Sequence, residues 1–179
     1  LHDPFLMRDM EKACVRLYEA MEGGEKIVIY ADYDCDGIPG AVILEDLIKK
    51  TRYKNYEIYI PKRNSEGYGL NLSAIKQFAE SGVKLIITLD LGITAVAEVA
   101  QAEVDGIDVI ITDHHLPQEV LPRAYAILNP KTDDYPEKML CGAGVIYKLI
   151  QAILAKNRFG IKEGWEKWLL DMIGIATLS

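Results

Sequence analysis

Apolar residues along this chain follow two spacings. Ile27 to Ala31, Val83 to Leu89 and Asp108 to Thr112 are short, nearly continuous runs rich in β-branched residues, which read as strands buried on both faces. Glu57 to Ile60 is a shorter strand, and Ala124 to Leu128 reads as an edge strand stopped by Asn129-Pro130. Between these runs the apolar positions recur at helical spacing. Asp3-Pro4 sets a helix start, with an acid at the N-cap and Pro in the first turn, and Leu6, Met10, Ala13, Leu17 and Met21 continue it until Gly23-Gly24. Pro39 opens a second helix through Lys50 with an apolar stripe of Ile43, Leu44, Leu47 and Ile48. Asn71 or Ser73 caps a third that runs to Glu80; Thr94 to Glu103, Val145 to Lys156 and Trp165 to Ile175 complete the series. Strands alternating with helices predict an α/β domain of three layers, α/β/α, around a largely parallel sheet.

The ends of the predicted strands carry the chemistry. After Ile27 to Ala31 come Asp32, Asp34 and Asp36 at alternate positions, closed by Gly37. Carboxylates crowded at a strand tip repel one another unless a multivalent cation neutralises them, which asks for a hard metal with oxygen ligands, Mg2+ or Mn2+. An acidic surface turn is the plain alternative. Two departures count against a calcium loop of the EF-hand type: it needs a bidentate Glu where this chain has Ile43, and a helix where this chain has a strand. The run Val83 to Leu89 also finishes on an acid, Asp90, and Asp108 to Thr112 leads into Asp113-His114-His115. Ligand sites in open parallel sheets lie at the carboxyl edge, and three strands placing ionisable residues there point to a metal site more strongly than any one of them.

Two loops add candidate contacts. Pro61 to Gly69 combines Arg63, Asn64, Tyr68 and Gly69, a cation, an amide and a phenol beside flexible backbone, which suits phosphate or sugar contacts or else a solvated loop. Cys141-Gly142-Ala143-Gly144 precedes the helix from Val145; Gly142 and Gly144 leave room for a phosphate on free backbone N–H groups, or for close packing of the helix.

Composition narrows the class. Half of the 179 residues are apolar, enough for a substantial core, and no run approaches the length of a membrane span. The three cysteines, Cys14, Cys35 and Cys141, lack metal-finger spacing and fit reduced thiols in a cytoplasmic protein. A net charge of −7 argues against a surface that grips nucleic acid everywhere but permits a local basic groove. The chain opens on Leu1 and closes on the uncapped apolar segment Ile173 to Ser179, which reads as a piece of a longer protein.

The segments Asp32-Tyr33-Asp34-Cys35-Asp36-Gly37, Pro61 to Leu70, Asp90-Leu91-Gly92-Ile93 and Asp113-His114-His115 resemble, in order and spacing, the successive motifs of the DHH phosphoesterase superfamily. Leu1-His2-Asp3-Pro4-Phe5, Ile60-Pro61-Lys62-Arg63, Glu66-Gly67-Tyr68-Gly69-Leu70 and Leu140-Cys141-Gly142-Ala143-Gly144-Val145 are similar to its RecJ branch, the bacterial single-strand-specific exonucleases. The chain departs from that pattern at Ala31, Pro39, Gly40 and Leu91, none of them a presumed ligand.

The resemblance implies a two-metal phosphodiesterase that degrades single-stranded DNA from the 5′ end in repair and recombination. The expected partners are single-stranded DNA and repair or replication proteins, with no membrane, and the expected state is a monomer. It implies that Asp90 bridges two Mn2+ or Mg2+ ions, that Asp34 serves the first and Asp36 and His114 the second, and that Asp32 is a weaker ligand. His115 faces the phosphate and Asp113 orients its neighbour. Residues 1–179 then form one phosphoesterase domain cut short of a further metal-binding Asp, with the domain that carries much of the substrate surface lying beyond. On that expectation the isolated piece folds but has little or no nuclease activity. Superfamily members acting on short oligonucleotides, cyclic dinucleotides or pyrophosphate are the second reading, and a non-catalytic scaffold the third.

Overall fold

The computed structural model describes residues 2–64, 67–132 and 134–178. Leu1, Ser65, Glu66 and Ser179, which belong to segments singled out above, therefore lie outside the described residues. The β-branched runs form strands β1 (Lys26–Ala31), β2 (Tyr56–Tyr59), β3 (Val83–Leu89), β4 (Asp108–Thr112) and β5 (Ala126–Leu128). These lie in the order β2-β1-β3-β4-β5, and every adjacent pair is parallel. The helices are α1 (Met10–Glu22), α2 (Gly37–Thr51), α3 (Leu72–Glu80), α4 (Val96–Val104), α5 (Gly142–Lys156) and α6 (Leu170–Leu178).

Alternate side chains of each strand point to opposite faces, so two cores form. On one face Ile27, Ile29, Leu85, Ile87, Ile110 and Leu128 pack with apolar residues of α1, α2 and α5. On the other, Val28, Tyr30, Ile86, Val109 and Ile111 pack with Ala74, Ile75 and Phe78 of α3 and Val99 and Ala102 of α4. The three layers and the parallel sheet are as the periodicity predicts. The chain leaves β1 towards β2 and then returns to β3 on the far side of β1, so the strand order reverses between β1 and β3, where open parallel sheets form a crevice beyond their carboxyl ends.

Several helix boundaries differ from expectation. Pro4–Leu6 is one 3-10 turn, with Asp3 capping the Phe5 amide, and α1 begins only at Met10. Met7 is extended and fully buried there, and the Asp9 carboxylate accepts the amide of Ile127 in β5 at 2.9 Å. Asn71, not Ser73, caps α3, accepting from the Ala74 amide at 2.7 Å. The stretch predicted as one final helix divides into a 3-10 segment, Trp165–Leu169, and α6. Helix α5 begins three residues before Val145. Among the described residues no helix is long and apolar enough to cross a membrane.

Candidate metal centre

The carboxyl ends of β1, β3 and β4 bring Asp32, Asp34, Asp36, Asp90, Asp113, His114 and His115 to the crevice. Ligand atoms of Asp32, Asp34 and Asp90 lie within 4.8 Å of one another, as do those of Asp90, His114 and His115. Asp90 is thus common to both groups. Its φ of 62° is left-handed, a conformation that Asp tolerates better than most residues but that still costs on the order of 1 kcal/mol, and its amide is bonded to Thr112 O at 2.9 Å.

Both Asp90 carboxylate oxygens are buried and accept no well-aligned hydrogen bond, Oδ1 having only the His114 ring at 3.1 Å, and Oδ2 of Asp32 is buried without a partner. Buried carboxylates are ordinarily satisfied, so these oxygens are missing a counter-ion or a donor. Burial, reinforced by Asp36 and Asp34, pushes the Asp90 carboxyl up to about 10. Burial also raises Asp32, against the Tyr33 amide that bonds its Oδ1 at 2.7 Å. For Asp34, burial is outweighed by the Gly37 and Asp36 amides and by its carboxyl neighbours, and the group is held low. A divalent cation with oxygen and imidazole ligands answers this donor set: two unsatisfied buried acids, a third acid held ionised, and an imidazole. Asp32, the weaker ligand on resemblance, is by burial and unpartnered oxygen as well suited as Asp34.

His114 Nε2 is 3.1 Å from Asp90 Oδ1 and 3.4 Å from Asp36 Oδ2. The same Asp36 oxygen accepts the amide of Gly142 at 2.8 Å. This corrects the expectation of a free helix N-terminus before Val145: that amide is already bonded to a carboxylate of the cluster. A Cβ built on Gly142 would lie 2.6 Å from Asp90 Cβ, Cγ and Oδ1, so the glycine is there to let the first turn of α5 touch Asp90. Gly144 is buried, and a Cβ there would meet Leu140 at 3.3 Å, which makes it a packing position.

Asp113 is a hub. Its Oδ1 accepts the amides of His114 and His115 at 2.7 and 3.0 Å and pairs with His115 Nδ1 at 2.7 Å, while Oδ2 accepts the Ile93 amide at 2.9 Å. Burial works against the Asp113 charge, but these bonds outweigh it and hold the carboxyl low; in return Asp113 raises His115. With Nδ1 so engaged, the free edge of the half-exposed His115 ring is Nε2, 3.5 Å from the Tyr68 hydroxyl. Burial and the surrounding carboxylates Asp32, Asp90 and Asp113 push the Tyr68 phenol up.

Tyr68 and Gly69, beyond β2, reach this edge. The Gly69 carbonyl accepts from the Tyr30 hydroxyl at 2.9 Å, and Asn64 is exposed beside Arg63. The aromatic partner of Arg63 is Tyr33, whose ring centroid lies 5.5 Å from the guanidinium carbon. Tyr33 escaped the sequence reading because its contact crosses from the β1 tip to the β2 loop, and only the tyrosine's place inside the acidic motif hinted at it.

The chain is 41% identical over 99% of its length to the single-stranded-DNA-specific exonuclease RecJ of Bacillus subtilis, and 38% identical over 95% to that of Escherichia coli. It spans 22% and 31% of those two proteins. A crystal structure of exonuclease RecJ bound to manganese superposes with a TM-score of 0.86 at 28% identity, covering 99% of this chain and 44% of that one. Together with the match of residues 26–177 to the N-terminal domain of the DHH family, these likenesses establish that the chain belongs to the DHH family.

Proposed function

We propose that this chain carries the metal centre of a phosphodiesterase that degrades single-stranded DNA from its 5′ end, with Mn2+ or Mg2+ as cofactor. The observation that carries the reading is Asp90: a fully buried carboxylate to which no backbone amide donates, lying among other acids and His114 and shared by two ligand groups on neighbouring strands. The relatives' names, single-stranded-DNA-specific exonucleases, supply the substrate class.

Asp32 and Asp34 would hold one ion with Asp90, and His114 and Asp36 the other with Asp90. Bound there, divalent cations supply Lewis-acid activation of a phosphate and lower the pKa of a water to the neutral range. The protein's part is placement. Asp113 fixes the His115 ring through Nδ1 so that Nε2 and the Tyr68 hydroxyl face a phosphate together. Arg63, Asn64 and the Gly69 backbone line the approach on the β2 side, where a guanidinium takes a phosphate in a paired, charge-assisted contact. The parent protein then acts as a cytoplasmic monomer in DNA repair and recombination, alongside repair or replication proteins.

The test is Asp90→Ala in the full-length protein. Mn2+-dependent cleavage of long single-stranded DNA should fall by about a thousandfold or more while the fold persists. Two-site Mn2+ binding that survives in calorimetry removes the bridging role; wild-type cleavage of dinucleotides but not of long strands moves the assignment to small substrates.

A further inference from the structure

Arg63 lies on an exposed loop four residues past the end of β2, and an exposed arginine samples many rotamers, so something must hold it over the metal edge if it is to receive a phosphate. Among the described residues no carboxylate pairs with it. Its guanidinium rests instead over the ring of Tyr33, 5.5 Å from the centroid, within the range of a cation–π contact. Tyr33 is itself placed firmly. It sits two residues beyond β1, its amide is bonded to Asp32 Oδ1 at 2.7 Å, and Asp32 is fully buried. The backbone that carries the ring therefore has a fixed position relative to the carboxylate cluster, and the half-buried ring offers that anchor to a cation that the loop alone would leave free. Since β1 and β2 are hydrogen-bonded neighbours, the two strand tips deliver ring and cation to one side of the crevice.

We infer that Tyr33 is a positioning residue for substrate: its aromatic face orients Arg63 for a phosphate of the nucleic-acid strand. The inference rests on the single-stranded-DNA reading above and deepens it. It makes the ring, not the hydroxyl, the working part, because the attraction of a guanidinium is to the quadrupole of the π face. Leaving Arg63 charged but unheld has a modest effect, since an exposed cation–π contact corresponds to a change in affinity of about twofold to fivefold.

The experiment measures binding of a single-stranded oligodeoxynucleotide to the full-length protein across a salt series, for Tyr33→Phe, Tyr33→Leu, Arg63→Ala and Tyr33→Leu/Arg63→Ala. Mn2+ affinity is measured in parallel. Tyr33→Phe should bind like wild type. Tyr33→Leu should bind about twofold to fivefold more weakly with the wild-type salt dependence, because the charge is still present. Arg63→Ala should reduce the slope of log affinity against log salt by about 0.7, the loss of one single-strand phosphate contact. In the Arg63→Ala background, Tyr33→Leu should have no further effect. Additive losses would show that the ring acts on substrate independently of Arg63, and a Tyr33→Leu protein with reduced Mn2+ affinity would show that it only props the acidic loop; either overturns the inference. A wild-type protein that binds no single-stranded DNA would instead defeat the substrate reading, whatever the variants do.

Discussion

Gly142→Ala puts two opposing effects in direct competition. In an ordinary first helical turn the change is favourable, because alanine has the higher helix propensity and a stiffer unfolded chain; together these amount to about 0.5–1 kcal/mol of added stability. Here the new methyl would sit 2.6 Å from three atoms of Asp90, about 1 Å inside normal carbon contact. Asp90 has little room to retreat: its backbone is left-handed, its amide is tied to Thr112 O at 2.9 Å, and its side chain is 1% exposed. Overpacking of this kind costs about 1–3 kcal/mol, so the clash wins and the net loss is about 1–2 kcal/mol. For a chain of this size that is a fall in Tm of about 2–8 °C. The more telling readout is metal affinity, because relief of the clash displaces the carboxylate shared by both ligand groups, and disturbances of that order cost about tenfold to a hundredfold in binding. Thermal melts and Mn2+ calorimetry measure both. Gly144→Ala is the control two residues along the helix, where the methyl meets the flexible end of Leu140 at 3.3 Å, and it should leave Mn2+ affinity unchanged. A Gly142→Ala protein with an equal or higher Tm and wild-type Mn2+ affinity would refute the claim that Asp90 is held immovably against α5.

Two further outcomes follow from the electrostatics. In Asp113→Asn the ring of His115 loses the carboxylate that chiefly raises it, so its pKa, followed by NMR titration, should fall towards the ordinary histidine value, and activity at acidic pH should shift with it. For Asp90 the folded value, about 10, lies above the unfolded one, so its contribution is fully present below about pH 4 and is lost as pH rises towards 10. The metal-free protein should therefore melt at progressively lower temperature between pH 5 and 8; Mn2+ or Asp90→Asn should flatten that decline, and a flat metal-free profile would contradict the burial argument.

How much of this was legible in advance depends on the element. Strands β3 and β4 begin and end where the apolar runs do, because a strand covered on both faces must be apolar throughout. The metal cluster was legible for a related reason: parallel strands all present their carboxyl ends at one edge, so acids following three separate runs had to converge. Helix starts were less legible. Gly142, Ala143 and Gly144 carry no helical periodicity, and what places them in α5 is contact with Asp90 and Leu140, residues remote in the chain or in the turn before it. Asp9 falls inside the first predicted helix, but its carboxylate bonds a strand 118 positions away. The pairing of Arg63 with Tyr33 was hidden likewise, since it depends on which strands are neighbours. The full burial of Asp32, one acid among three, was not legible either, because it is a property of the crevice and not of the motif.

The bond from Asp9 to Ile127 also bears on the outer edge of the sheet. Strand β5 is the outer strand of an otherwise apolar parallel sheet, and an open edge with free amides is a template on which a second chain can add. In its three residues the central amide, that of Ile127, is already bonded to an anionic side chain from α1. An incoming strand would have to displace a carboxylate for the sake of one short ladder. The carboxylate of Asp9 therefore makes this end of the sheet a poorer template for an added strand.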